Sequence, residues 1–86
     1  MIIFTVKTVN MDAKEIGKMI LYHRKISGLS RVECAKLAGM GKTAIYDIEH
    51  GKSTVQLNSL MKLLHVMNIK MTFNSPLMKK YEDEKS

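Results

Sequence analysis

Gly41-Lys42-Thr43 has the form that closes a phosphate-binding loop, in which glycine amides and a lysine hold the phosphates of a nucleotide. The full loop needs a second glycine five residues earlier, and that position is Lys36, so the nucleotide-site reading fails. A metal site fares no better, because His23, His50, His65 and Cys34 lack ligand spacing and fall on different helical stretches. Paired carboxylates, a nucleophile beside a base and a glycine-rich cradle are all missing from the chain, so the expectation is a protein that is not an enzyme and uses no cofactor and no metal. What remains is hydrogen-bonding chemistry. Lys42, Thr43, Tyr46, Asp47 and His50 occupy the face that the apolar pair Ile45 and Ile48 leaves outside on one short helix. A lysine can donate to guanine O6 and N7, a threonine offers a hydroxyl and a methyl, and an aspartate can accept from a cytosine amino group.

The charge of the chain fits a polyanion as the partner. Lys and Arg total 14 against 8 Asp and Glu, a formal charge of +6 with a sequence pI near 9.6. Residues 75–86 carry three positive and three negative side chains, so residues 1–74 hold the whole excess, eleven positive against five negative. Eighty-six residues allow one domain, and so short a chain buries only about 60% of its unfolded surface, which favours help from a partner chain. Cys34 is the single cysteine, which excludes an intramolecular disulfide and fits a reducing, cytoplasmic setting. No apolar run approaches the roughly 20 residues of a membrane span, so no membrane partner is expected. Met1 to Val9 is apolar, but Lys7 interrupts it and no basic segment precedes it, so it reads as a strand rather than a signal.

These side chains need a scaffold, and the pattern supplies one. Residues 1–10, with IIFTVKTV at 2–9, predict an N-terminal strand. Asn10 and Asp12 offer N-cap oxygens to a first helix, with Ile16, Ile20 and His23 on one face and Gly28 at its close. Ser30 to Glu33 has the S-x-x-E form of a capping box and opens a second helix, which ends at Ala38 before Gly39-Met40-Gly41. A third helix runs from Lys42 to His50 and stops at Gly51; a fourth carries Leu57, Leu60, Met61, Leu64 and Met67 inward and stops at Asn68. IKMTF at 69–73 alternates like a strand, within a segment set at 69–74, and 75–86 reads as a mobile charged tail after Ser75-Pro76. Residues 11–68 form the domain between these ends, mainly α, with four to five helices.

Two short helices joined by a tight glycine turn make a helix-turn-helix, whose second helix can enter the DNA major groove. The stretch Arg24 to Gly51, RKISGLSRVECAKLAGMGKTAIYDIEHG, resembles the phage repressor and Cro type of helix-turn-helix, the XRE-like family, almost position for position. The matching features are Arg24 four residues before Gly28, Gly28-Leu29-Ser30, Ala35 and Gly39 in the turn unit, Ile48-Glu49-x-Gly51, and Leu60 beyond. The resemblance implies a lambda-repressor-like fold and a repressor that binds double-stranded DNA at a palindromic operator. It also implies a salt bridge between Arg24 and Glu49 that acts as scaffold. On the same footing Lys42, Thr43, Tyr46 and Asp47 are the candidates for base contacts, Asp47 reading either as a specificity residue or as a solvated bystander. Arg31, standing where the family usually has glutamine, is a candidate for phosphate together with Lys36, His50, Lys52, Ser53 and Thr54.

Val55 in place of the proline of many relatives, the run GKSTVQLNSLMKLL, and a helix followed directly by IKMTF make the chain most similar to the HipB-like antitoxins. That likeness implies a homodimer, joined through Ile69, Met71 and Phe73, that autoregulates a toxin-antitoxin operon and binds a HipA-type serine/threonine kinase toxin. A solitary or phage-derived regulator, or a restriction-modification controller, has the same fold and no toxin partner.

Overall fold

The computed structural model describes residues 11–85, which form five helices: α1 (Ala13–Ile26), α2 (Arg31–Ala38), α3 (Lys42–Glu49), α4 (Leu57–Val66) and α5 (Met78–Lys85). The caps explain the boundaries. Asp12 is extended and its carboxylate accepts the Glu15 amide at 2.9 Å, satisfying one of the free N–H groups at the start of α1. At the other end Gly28 turns left-handed, φ 72°, so that the Leu29 amide donates back to the Arg24 carbonyl at 3.2 Å. Asn68 ends α4 in the same way, with φ 60° and the Ile69 amide donating to the Leu64 carbonyl at 2.9 Å.

The core lies where α1 to α4 converge. Ile20 from α1, Cys34 from α2, Ile45 from α3 and Leu63 from α4 are fully buried, ringed by Ala35, Ile48, Leu60, Leu64 and Met67. Full burial stabilises each isoleucine or leucine by about 1.5 to 3 kcal/mol. Cys34 fills its place as a small apolar group, and burial pushes its thiol pKa up. Gly17 lets α1 press against the end of α3: a Cβ there would collide with the Ile48 carbonyl oxygen and stand 2.8 Å from that of Glu49. This close approach puts α3 across the body with its outer face free.

Three expectations need correction. The buried stripe of α4 is Leu60, Leu63, Leu64 and Met67, a complete i, i+3, i+4, i+7 set, whereas Leu57 and Met61 face solvent. No strand occurs among the described residues; Ile69 to Phe73 is irregular, because a period-2 segment becomes a strand only beside a neighbour that takes its ladder hydrogen bonds, and the described residues offer none. Ile69 is partly buried against the core, while Met71 and Phe73 are exposed. The segment expected as a mobile tail is helical: α5 starts after the Ser75-Pro76 turn, carries a Glu82–Lys85 pair at 3.8 Å, and buries no residue. The expected N-terminal strand lies outside the described residues. No helix among the described residues is long and apolar enough to cross a membrane.

Candidate nucleic-acid interface

The site is built by the α2–turn–α3 unit. Ser30 and Glu33 close both halves of the capping box at 3.1 Å, side chain to amide in each direction, which fixes the start of α2 and the position of its neighbour Arg31. The bond to the Ser30 amide holds the Glu33 carboxyl below the usual carboxylate range. Gly39 is left-handed at φ 66°, where a Cβ would be strained, and this one residue turns the chain from α2 to α3. Gly41 caps α3 with no side-chain hydrogen bond, so the first amides of α3 point outward without an intrahelical partner. Lys36 and Lys42 line the shallow groove between the two helices, together with Val32, Gly39 and Met40.

Ile45 and Ile48 point into the core, and this sets the outer face of α3. Lys42, Thr43, Tyr46 and His50 are exposed there and Asp47 is half-buried. Asp47 is engaged with Lys52 at 3.4 Å, so the exit loop folds a cation back onto the carboxylate. Ser53 and Thr54 stand exposed in that loop. Tyr46 and His50, one turn apart, stack with centroids 3.8 Å apart and planes inclined by 19°. The His50 Nδ1 faces the Tyr46 carbonyl at 2.8 Å.

Behind this face sits a charged triad. The Glu49 side chain is completely buried; Arg24 Nε lies 2.5 Å from its Oε2, and Arg24 Nη1 donates to the Leu29 carbonyl at 3.0 Å. Burial alone would push the Glu49 carboxyl up, but the hydrogen bonds from Arg24 and Arg31 outweigh it and hold the group below its ordinary value. The hydrogen bond to Glu49 raises the Arg24 guanidinium in turn, against the opposing pull of its own burial. The Arg24–Glu49 contact is the one that the family resemblance implied. The second guanidinium is not: Arg31 Nε donates to Glu49 Oε1 at 2.8 Å, and its guanidinium carbon lies 5.1 Å from the Tyr46 ring centre. Eighteen residues separate Arg31 from Glu49, beyond the reach of any helical spacing, so no local pattern announces the pair. Among the described residues no group of three His, Cys, Asp or Glu is arranged to hold a metal.

A short helix with a basic, open N-terminus, standing proud of a four-helix core behind a glycine turn, defines a helix-turn-helix domain. The chain belongs to the helix-turn-helix family HTH_3, which matches residues 20–74, and is an XRE-type transcriptional regulator. It is 32% identical over 59 residues to the ImmF control region 10 kDa protein of Bacillus phage phi105, covering 69% of this chain and 66% of that one. It is 31% identical over 62 residues to an uncharacterised HTH-type transcriptional regulator of Sinorhizobium fredii, covering 72% of this chain and 82% of the relative. In fold it is similar to HipB in an O4 20mer complex, with a TM-score of 0.71 at 19% identity over 80% of this chain and 97% of that one. A HipB variant in an O2 20mer complex gives a TM-score of 0.72 at the same identity, over 80% of this chain and 96% of that one.

Proposed function

We propose that the chain is a sequence-specific repressor that works as a homodimer, each copy inserting α3 into one major groove of a palindromic operator, the two grooves about 34 Å apart. The observation that carries this is the outer face of α3: Lys42, Thr43 and Tyr46 exposed beyond the Gly39 turn, within residues 1–74 that hold the whole positive excess of the chain. Lys42, Thr43, Tyr46 and Asp47 read base edges. Arg31, Lys36, His50, Lys52, Ser53 and Thr54 take phosphates and fix the register. The partner copy covers Met71 and Phe73, which stand exposed beside Met11, Ile16, Met19 and Ile69.

Within this function, the fold shared with HipB supports an antitoxin that represses its own operon and restrains a HipA-type kinase. The phage control protein supports a second reading, a phage-type regulator with no toxin. A gel shift on the DNA upstream of the chain's own gene, with and without the neighbouring gene product, tests both. A shifted operator that is further retarded by the neighbouring product supports the antitoxin; a shift that this product leaves unchanged supports the phage-type regulator. No preference for that DNA over random DNA contradicts the repressor reading itself.

A further inference from the structure

Arg31 holds a place that phosphate binding alone does not explain. A side chain that only meets phosphate is free to swing out to it, yet Arg31 is tied at its Nε to the buried Glu49 carboxylate, 2.8 Å away, with its side chain 36% exposed. From there its guanidinium carbon reaches 5.1 Å from the centre of the Tyr46 ring. The same ring is stacked on His50 at 3.8 Å, and His50 is itself hydrogen-bonded at Nδ1 to the Tyr46 carbonyl. The Glu49 carboxylate is in turn fixed by Arg24. An exposed tyrosine on a helix surface would ordinarily sample more than one rotamer; this one is held by a cation on a fixed anchor and by an aromatic neighbour.

We infer that Arg31 is a positioning residue for DNA recognition, holding the Tyr46 side chain in one orientation so that its hydroxyl and ring edge meet the same base pair in every complex. The inference rests on the repressor reading and on Tyr46 as a base contact. Arg31 then acts on sequence preference through Tyr46, in addition to whatever charge it offers a phosphate. Lysine separates the two roles, since it keeps the positive charge but lacks the planar fork that lets arginine meet a carboxylate and lie over a ring together.

The test is the ratio of operator to random-DNA affinity for the wild type, Arg31→Lys, Tyr46→Ala and the double variant, each followed across a salt series. Any fall in the folded fraction lowers both affinities alike and cancels from the ratio. The expected result is that Arg31→Lys keeps the wild-type salt slope and loses about twofold to thirtyfold in the ratio, the span corresponding to a cation–π contact. In the Tyr46→Ala background, Arg31→Lys should change the ratio no further. A wild-type ratio in Arg31→Lys overturns the inference while leaving the repressor reading intact, and so does a loss that persists in full without Tyr46. A wild type with no operator preference overturns both.

Discussion

Replacing Arg24 by methionine removes the inner guanidinium and leaves the Glu49 carboxylate with a single, partly exposed partner. The wild-type geometry sets the size of the effect. The Glu49 side chain has no exposed surface and that of Arg24 is 10% exposed, so this pair belongs with buried ion pairs, whose disruption from one side costs about 3 to 5 kcal/mol. The Leu29 carbonyl loses its donor as well. Arg31 remains and shares the charge, which places the expected loss near the lower end, about 3 kcal/mol. For 86 residues the total stability is on the order of 4 to 13 kcal/mol, so the variant should fold but melt far earlier, by about 4 to 8 °C for each kcal/mol. Urea unfolding followed by circular dichroism measures it, with a lowered midpoint and an unchanged slope as the expected form. Arg31→Ala is the comparison: its side chain is 36% exposed and Arg24 stays in place, so its loss should be about 1 kcal/mol. Equal losses for the two arginines, or under about 1 kcal/mol for Arg24→Met, would refute the reasoning that burial sets the hierarchy.

Gly17→Ala should destabilise by about 1 to 3 kcal/mol in a thermal melt, because the added methyl meets backbone carbonyls of Ile48 and Glu49 that cannot rotate away. Ser30→Ala removes the cap of α2 and should cost about 1 kcal/mol in urea midpoint, with DNA affinity falling in parallel as Arg31 loses its mooring. Acid should destabilise the fold in a defined direction: the Glu49 carboxyl is lowered from 4.5, so its contribution is complete above that pH and is lost as pH falls through the lower folded value. Urea midpoints from pH 7 down to about pH 3 should therefore decline, and Arg24→Met should decline less steeply.

Much of the scaffold is legible in the residues because local chemistry decides it. The capping box at Ser30 and Glu33 and the left-handed turns at Gly28, Gly39 and Gly51 are choices a few neighbouring residues make for themselves. Most of the failures share a physical cause, since they depend on a partner distant in sequence. Ile69 to Phe73 has the alternation of a strand but finds no ladder among the described residues. Leu63, rather than Leu57 or Met61, is buried because the helices around α4 choose which arc it turns inward. Gly17 looks like an ordinary helical glycine until the end of α3 is seen lying against it. In α5 the balanced charges of Met78 to Lys85 read as a solvated tail, although Glu82 and Lys85 have a spacing that a helix rewards. At the candidate site, the outer face of α3 follows from the inward pair Ile45 and Ile48, and Tyr46 and His50 have the i, i+4 spacing of neighbours on one helix, whereas the Arg31–Glu49 bond emerges only when α2 and α3 are docked.

The central claim is that α3 reads sequence while the surrounding cations hold the backbone. Titrating the wild type and Lys42→Ala against the upstream operator and against random DNA tests it most directly. The account predicts an operator preference for the wild type of about a thousandfold or more, with Lys42→Ala losing about 1 to 3 kcal/mol on the operator and much less on random DNA. Equal losses on both DNAs would contradict it.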